Sequence, residues 1–323
     1  MNINERNIKV WSTIGARATL GIAALELAKE IENLMVLTCD VSTSAGLDRY
    51  RKTFPNKFLD LGIAEQNLIG VAAGLASENF NVITTTFAPF QTMRCCEQIK
   101  VNLGYMNQKV CMVGIASGLA LGTLGFTHCC IEDVGVLRSI PGLTIISPSD
   151  SLETVKALQA AVKSKGPSYI RLTGSSNNPI VNKNDYNFKI GKSIKLNDGE
   201  EVTIFCAGAM VHTSLLSAKI LEENKISCKV VNMHTIKPID KKAIEDACNS
   251  KLIVSIEEHN IIGGLGTAIS EHTATLKTKP KQLFLGIKDT YGKGGEYKFL
   301  LEKHGLTPNK IVNDIMLNLK NNV

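Results

Sequence analysis

Mostly apolar, strand-like runs alternate with segments of helical periodicity along the first half of the chain. Five runs rich in Val, Ile and Leu predict strands at 35–39, 82–86, 110–115, 143–146 and 169–172. The intervening segments predict helices at 20–31, 65–76, 90–103, 131–139 and 149–163, the last with Ser149 as its N-cap. Strands that are apolar throughout are typical of parallel sheets covered on both faces. The pattern therefore predicts a doubly wound α/β sheet.

A second alternation follows a stretch at 174–187 that is rich in Ser, Asn and Gly and has no apolar period. The predicted strands lie at 202–206, 228–233, 252–256 and 283–287. The predicted helices lie at 211–223, 240–249 and 308–320, and a further one begins at the glycines of 263–266. We therefore expect two α/β domains, at 1–178 and 191–323, joined by a linker at 179–190.

Composition excludes several classes of protein. A hydrophobic fraction of 44% in 323 residues is typical of a globular chain and excludes disorder. No apolar run approaches the roughly 20 residues of a membrane span, and the polar N-terminus lacks a signal-peptide core. A net charge of +6 without a basic block gives no reason to expect a nucleic-acid or membrane partner. Nine cysteines without a CxxC motif indicate free thiols and a cytoplasmic location.

One carboxylate stands out by its surroundings. Glu65 follows a strand-like segment at 57–60 and precedes a nearly charge-free helix at 69–76. A carboxylate beside so apolar a helix is expected to be partly desolvated, which suits general acid–base chemistry. An acidic residue that merely complements the helix N-terminus is the alternative.

Two aromatic residues bracket the end of a predicted strand. Phe87 and Phe90 lie where open α/β sheets bind ligands, so they could form a wall for a planar ring. Core packing at a strand–helix corner is the alternative. The glycines of 263–266 could form a phosphate loop, but they match no standard phosphate motif, and we favour a tight strand-to-helix turn.

A glycine-rich loop at 122–128 ends in His128, which could hold an imidazole over a pocket. The alternatives are a loop histidine satisfied by backbone and a Cys–His nucleophile that uses Cys129 or Cys130. No ligand spacing in the chain predicts a metal site.

In combination and in this order, these motifs resemble the C-terminal half of transketolase-type thiamine diphosphate enzymes, from about residue 8 to the end. The resemblance rests on Phe58-Leu59-Asp60-Leu61-Gly62-Ile63-Ala64-Glu65-Gln66, Thr86-Phe87-Ala88-Pro89-Phe90, Thr127-His128 with Glu132, Ile140-Pro141-Gly142, Ser147-Pro148-Ser149-Asp150, Thr235-Ile236-Lys237-Pro238-Ile239-Asp240, Glu257-Glu258-His259 and Gly263-Gly264-Leu265-Gly266. It implies a pyrimidine-binding domain followed by a transketolase C-terminal domain.

The resemblance assigns cofactor roles to four residues. Glu65 matches the glutamate that hydrogen-bonds the pyrimidine ring of thiamine diphosphate and promotes the tautomer that deprotonates the thiazolium carbon. Phe87 and Phe90 match the aromatic residues that pack around that ring. Asp40 matches an acidic residue near the cofactor and the subunit interface.

On the substrate side, His128 matches a histidine that contacts a substrate oxygen, and Arg17 matches an arginine at the mouth of the substrate channel. Sugar-phosphate transketolases have an aspartate where this chain has Leu124. Arg171 remains, but the arginine three residues beyond it is replaced by Gly174. Fewer guanidinium groups weaken a phosphate clamp, so we expect an atypical sugar, either deoxy or nucleotide-linked.

The family's Gly-Asp-Gly motif, which holds the diphosphate and Mg²⁺, does not occur in this sequence. A partner N-terminal subunit is therefore expected to bind them, in a two-plus-two heterotetramer with active sites at subunit interfaces. The expected reaction is transfer of a two-carbon ketol unit from a ketose to an aldehyde. The alternatives are a 2-keto acid dehydrogenase beta-type subunit, a deoxyxylulose phosphate synthase-like subunit, a non-catalytic regulatory homologue and, most remotely, a Cys–His hydrolase.

Overall fold

Two sheets with helices on their faces form the computed structural model, which describes residues 1–174 and 177–320. Positions 175–176 of the first predicted domain, and 321–323 of the second, lie outside the described residues. The strands are β1 (Leu34–Thr38), β2 (Phe58–Asp60), β3 (Asn81–Phe87), β4 (Val110–Ser117), β5 (Thr144–Ile146), β6 (Ser168–Thr173), β7 (Ile194–Asn197), β8 (Val202–Cys206), β9 (Cys228–Asn232), β10 (Thr235–Lys237), β11 (Leu252–Asn260) and β12 (Lys281–Ile287).

The first sheet has the strand order β10-β5-β6-β4-β3-β1-β2, and the second has the order β12-β11-β8-β9-β7. All neighbouring strands are parallel except β10 against β5 and β7 against β9. The predicted α/β class is confirmed, with one antiparallel edge strand added to each sheet. Strand β10 belongs to the second half of the chain but pairs in the first sheet, so the two halves share backbone hydrogen bonds.

Helices cover both faces of each sheet, as a doubly wound fold requires. The helices are α1 (Glu5–Glu30), α2 (Asp48–Thr53), α3 (Glu65–Ser77), α4 (Ala88–Gln91), α5 (Cys96–Gln98), α6 (Asp133–Arg138), α7 (Ser151–Lys163), α8 (Met210–Glu223), α9 (Lys241–Ala247), α10 (Leu265–Thr273), α11 (Tyr297–Lys303) and α12 (Pro308–Lys320). One apolar core lies under α1 and α7, and another lies under α8 and α12. The third core packs α3 and α6 on the first sheet and continues onto the second sheet.

Two predicted helices differ from the observed ones. The expected helix at 90–103 is divided into α4, α5 and a π-helical segment at Ile99–Tyr105. Thr92 Oγ1 donates to the Ala88 carbonyl, a contact that bends helices, and Gln66 Nε2 donates to the Arg94 carbonyl. The Ala88 carbonyl thus accepts both the amide and the hydroxyl of Thr92, and the Arg94 carbonyl accepts from a side chain of α3. The predicted helix at 20–31 is the second part of α1, which is interrupted at Gly15 (φ 83°).

The N-cap of α7 is Asp150, whereas we had predicted Ser149. The Asp150 carboxylate accepts a hydrogen bond from the Glu153 amide at 2.8 Å. It also accepts from the amides of Val181 and Asn182 at 3.0 and 2.7 Å. One carboxylate therefore caps the helix and fixes the start of the segment predicted as a linker.

The segment predicted as a linker packs against both sheets along part of its length. The ring of Phe188 stacks on the buried His234 imidazole, with 4.2 Å between centroids and 27° between planes. Tyr186 donates to Glu153 Oε1 at 2.7 Å. These contacts hold an irregular segment without giving it regular secondary structure.

The burial of His234 predicts a pH-dependent stability. Burial lowers the pKa of His234 from 6.5 to about 4. Between these values the unfolded chain takes up a proton that the folded chain does not. The free energy of unfolding should therefore fall by up to about 1.4 kcal/mol per pH unit as the pH drops through this window. We expect His234→Gln to flatten this fall in urea titrations at pH 7, 6 and 5.

Phe188→Leu is the matched control for this titration. It removes the stacked ring but leaves the imidazole, so it should lower the stability at every pH and keep the steep fall. Equal slopes for the wild-type chain and His234→Gln would contradict the prediction.

Candidate active site

The carboxyl ends of β1, β2, β3 and β4 meet at one edge of the first sheet, which is where open α/β sheets bind ligands. Asp40 follows β1, Asp60 ends β2 and Phe87 ends β3. A loop at 118–130, which we call the His128 loop, follows β4. The sheet order thus brings most of the predicted site residues to one edge.

Asp60 fixes the turn that leads into α3. Its Oδ1 accepts hydrogen bonds from the amides of Asp40 at 2.8 Å and Gly62 at 3.1 Å. Asp40 and Gly62 both adopt left-handed backbone conformations, with φ of 54° and 64°. The carboxylate therefore stabilises two tight turns side by side and sets where α3 begins. Asp40 itself is exposed beside this turn.

Glu65 is the first residue of α3 and is only 4% exposed, as the apolar helix predicts. Its Oε2 accepts a hydrogen bond from Arg94 Nη1 at 2.8 Å. The neighbouring thiol of Cys39 is affected as well. Burial raises the pKa of Cys39 to about 11, and the charge of Glu65 acts in the same direction. Glu65 is therefore a buried carboxylate paired with Arg94, beside a thiol that stays protonated at neutral pH.

Aromatic rings connect Arg94 to the His128 loop. The Arg94 guanidinium lies over the ring of Phe90, 4.2 Å from its centroid. Phe90 meets Phe87 edge to face at 6.3 Å and meets the His128 imidazole edge to face at 5.4 Å. Glu65, Arg94, Phe90 and His128 thus form one continuous chain of contacts.

His128 is half-buried, and its Nδ1 lies 3.0 Å from the hydroxyl of Thr127. Its amide donates to the Gly125 carbonyl at 3.0 Å, which closes a turn. Leu124, on the same loop, is 56% exposed. Arg17 is half-buried and lies two residues after the break in α1.

Arg171 occupies a different environment from the one expected of a substrate contact. It is 4% exposed and forms an ion pair with the fully buried Asp133, with Nε 2.8 Å from Oδ2. Its Nη2 donates to the carbonyls of Cys130 at 3.1 Å and Glu258 at 2.8 Å. This guanidinium connects α6, the end of the His128 loop and β11, and these contacts are all within the chain.

Contacts within the chain account for two of the alternatives, the Cys–His nucleophile and the phosphate loop. Burial raises the pKa of Cys129 to about 11 and also raises that of Cys130, so both remain thiols at neutral pH. The glycines of 263–266 form the tight turn that we favoured. The amides of Leu265 and Gly266 donate to the buried carboxylate of Glu257 at 2.6 and 2.9 Å, so this turn is already occupied by an anion of the chain itself.

All nine cysteines are free thiols. Within 1–174 and 177–320, no group of three or more His, Cys, Asp or Glu side chains is placed to hold a metal ion. Over the same described residues, no helix is both long and apolar enough to cross a membrane.

Comparison with known proteins agrees with this arrangement. Residues 12–178 match the family described as the transketolase pyrimidine binding domain, and residues 191–311 match the transketolase C-terminal domain. The chain belongs to the transketolase family. Transketolases are thiamine diphosphate-dependent transferases, and the expected fold and enzyme class are therefore confirmed.

Several relatives match over nearly their whole length. A Methanocaldococcus jannaschii protein named as a transketolase C-terminal section is 37% identical over 95% of this chain and 96% of its own. A 6-deoxy-6-sulfo-D-fructose transketolase subunit of a Clostridium species is 36% identical over 89% of each chain. A solved structure described as a split-gene transketolase, an inactive β4 tetramer, is 33% identical, with a TM-score of 0.86 over 95% of this chain and 98% of its own.

Two residues that shape this sheet edge, Arg94 and Asp60, were not predicted as site residues. Arg94 lies 29 positions from its partner Glu65, so no local pattern connects the two. Its spacing of four residues from Phe90 was the available signal, because side chains one helical turn apart can meet. Asp60 was quoted only as part of a motif, although an aspartate before a glycine turn commonly accepts backbone hydrogen bonds.

Proposed function

We propose that this chain is the C-terminal subunit of a two-chain, thiamine diphosphate-dependent transketolase. The enzyme transfers a two-carbon ketol unit from a ketose donor to an aldehyde acceptor. The observation that carries the proposal is the buried carboxylate of Glu65 at the start of α3, connected through Arg94 to the rings of Phe90 and His128.

Membership of the family implies thiamine diphosphate, and the chemistry of the site fits the pyrimidine end of that cofactor. Arg94 presents a planar group with N–H donors, and it both donates to Glu65 and covers the face of Phe90. These are the two contacts that an aminopyrimidine ring needs. The guanidinium is 43% exposed and can therefore move aside. In this proposal it marks the place where the ring binds.

Each residue of the site then has a role that its position supports. The bound cofactor supplies the carbanion and the electron sink of the reaction. Glu65 hydrogen-bonds a ring nitrogen and holds a proton there, while Phe87 and Phe90 orient the ring. Asp40 lies on the exposed turn beside the cofactor, close to where the partner subunit would sit.

Two residues act toward the substrate in this proposal. His128 hydrogen-bonds a substrate oxygen, and its edge-to-face contact with Phe90 supports a position beside the ring that Phe90 would orient. Arg17 provides positive charge at the mouth of the channel. Arg171, the other arginine of the expected substrate set, has a structural role in this proposal, because its guanidinium is buried against Asp133.

The diphosphate and Mg²⁺ are assigned to a partner N-terminal subunit. Two observations support this division: the chain contains no Gly-Asp-Gly motif, and relatives of the same length are named as sections or subunits. The related β4 tetramer is described as inactive, as expected of a subunit that lacks its partner. We propose a two-plus-two heterotetramer, a domain division at 1–178, 179–190 and 191–323, and a cytoplasmic location that suits nine free thiols.

The donor is proposed to be an atypical ketose. Leu124 exposes an apolar side chain where sugar-phosphate transketolases have an aspartate, so one hydroxyl-binding group is missing. A relative of this chain is named for 6-deoxy-6-sulfo-D-fructose, which is a deoxy sugar. A pocket of this polarity favours a donor that lacks one hydroxyl, or one linked to a nucleotide.

Reconstitution tests the division of labour and the substrate together. This chain should show no ketol transfer alone and should gain it when mixed with a Gly-Asp-Gly-containing N-terminal subunit from the same organism. In the mixture, 6-deoxy-6-sulfofructose should be a better donor than xylulose 5-phosphate. Full activity without a partner would refute the split enzyme, and efficient turnover of xylulose 5-phosphate with ribose 5-phosphate would refute the atypical donor. Decarboxylation of a 2-keto acid would favour the dehydrogenase alternative.

Replacement of Glu65 tests the role of the carboxylate in the reconstituted enzyme. Glu65→Gln keeps the shape of the side chain but removes its ability to hold a proton for transfer, so kcat should fall by about 10²-fold or more. Glu97→Gln, at an exposed carboxylate, is the matched control and should leave kcat unchanged. Retention of wild-type kcat by Glu65→Gln would remove Glu65 from the mechanism.

A further inference from the structure

The His128 loop takes much of its support from the C-terminal domain rather than from the domain to which it belongs. Its two ends pair with each other, because the amides of Gly118 and Cys130 each donate to the other residue's carbonyl, at 2.8 and 2.9 Å. Its middle pairs with the second half of the chain, where the Gly295 amide donates to the Gly122 carbonyl at 2.8 Å.

Close packing at the glycines of this loop confirms that the fit is tight. A Cβ at Gly122 would lie 2.2 Å from a methyl group of Leu300 and 2.5 Å from the Gly295 carbonyl oxygen. A Cβ at Gly118 would lie 2.3 Å from Glu258 Oε1. The ring of Phe126 meets the ring of Tyr291 edge to face at 5.6 Å. The loop therefore lies in a groove made by the C-terminal domain.

Glu258 is a buried acidic residue in this groove. Its Oε1 accepts a hydrogen bond from the Leu119 amide at 2.6 Å, at the start of the loop. Its Oε2 accepts from the hydroxyl of Tyr297 at 2.6 Å, which fixes the rotation of the carboxyl group. Its own carbonyl accepts from Arg171 Nη2, and the same nitrogen donates to Cys130 at the end of the loop. Glu258 is therefore bonded directly to the start of the loop and, through Arg171, to its end.

We propose that Glu258 is a positioning residue for the transketolase reaction: from the C-terminal domain, its carboxyl group holds the loop that places His128 against Phe90 and the substrate. The inference rests on the proposed function, since it assigns the C-terminal domain a part in the active site. Glu258 does not touch the site itself. It is buried, and burial raises its pKa. The hydrogen bonds from the Leu119 amide and the Tyr297 hydroxyl offset part of the cost of burying this carboxyl group.

The preceding residue provides a matched control. Glu257 is also a buried carboxylate on β11, and it also accepts two hydrogen bonds, from Leu265 and Gly266. Those amides begin α10 within the C-terminal domain, and none belongs to the His128 loop. A purely structural effect of losing a buried carboxylate should therefore be similar at both positions. Only Glu258 should affect His128.

The experiment compares Glu258→Ala, Glu258→Gln and Glu257→Ala by amide hydrogen exchange of the full chain and by kinetics of the reconstituted enzyme. Glu258→Ala should speed exchange in 118–130 and lower kcat by about tenfold or more, because small misplacements of a catalytic group are costly. Glu258→Gln should restore slow exchange and most of kcat, since its amide oxygen can accept from Leu119 while its NH₂ donates to Tyr297. Glu257→Ala should speed exchange at 265–266 and leave kcat unchanged.

Wild-type exchange of the loop in Glu258→Ala would overturn the proposal, and so would equal losses of kcat in Glu258→Ala and Glu257→Ala. If Glu258→Ala does not fold, Tyr297→Phe takes its place. It frees the carboxyl group on one side only and should speed exchange in the loop, and unchanged exchange would again overturn the proposal. The exchange measurement needs no activity, so a wild-type enzyme without ketol transfer would refute the proposed function and leave the position of Glu258 to be judged separately.

Discussion

A guanidinium buried between two sheets is stable only if its charge and its N–H groups are matched, because desolvation of an unpaired ion costs several kcal/mol. Arg171 is such a group, and it obtains its partners from three places: Asp133 at the start of α6, the Cys130 carbonyl at the end of the His128 loop, and the Glu258 carbonyl on β11. Removal of one partner from a buried pair typically costs about 3–5 kcal/mol. This requirement fixes the first sheet, the loop and the C-terminal domain relative to one another.

The proposed site is supported on one side by the loop that Arg171 holds, and it is exposed on the other. The sheet edge, the Asp60 turns and the His128 loop position Glu65, Phe90 and His128, and Arg94 connects Glu65 to Phe90. On the open side, Ile63 is 77% exposed although it is apolar and lies two residues before Glu65. Arg94, which covers Phe90, is also accessible. A partner subunit seated on this edge would bury Ile63 and complete the cofactor site, as the proposed division between two chains requires.

The sequence predicted the parts of the fold that depend on local apolar pattern. The interior strands β1, β3, β4, β8 and β11 are buried and contain runs rich in Val, Ile and Leu, and the predicted runs end within a few residues of the observed strands. Strand β7 was missed because it is a half-exposed edge strand. Strand β10 was missed because it has only three residues and pairs with a strand about 90 positions away. The segment 90–103 was predicted as one continuous helix. The helical period does not show the hydrogen bonds from Thr92 to the Ala88 carbonyl and from Gln66 to the Arg94 carbonyl that accompany its division.

The candidate site was predictable to the extent that its residues belong to motifs. Glu65, Phe87, Phe90 and His128 were predicted in this way. The structure brings the rings of Phe87, Phe90 and His128 into contact and connects Glu65 to Phe90 through Arg94. Arg94 and Glu258 depend on contacts across 29 and 139 positions, which no single-sequence pattern reveals. Arg171 shows the opposite case. Its position matched an expected substrate contact, but in the structure its side chain is buried and paired with Asp133.

The central claim is that Glu65 activates the cofactor in a site completed by a partner chain. Its most direct test is the rate at which the C2 proton of the thiazolium ring of thiamine diphosphate exchanges with deuterium, measured by NMR after acid quench. The wild-type chain with its N-terminal partner should accelerate this exchange far above the rate of free cofactor. The Glu65→Gln complex should bind the cofactor but exchange at the free rate. Equal acceleration by the wild-type and Glu65→Gln complexes, or acceleration by the isolated chain, would contradict the claim.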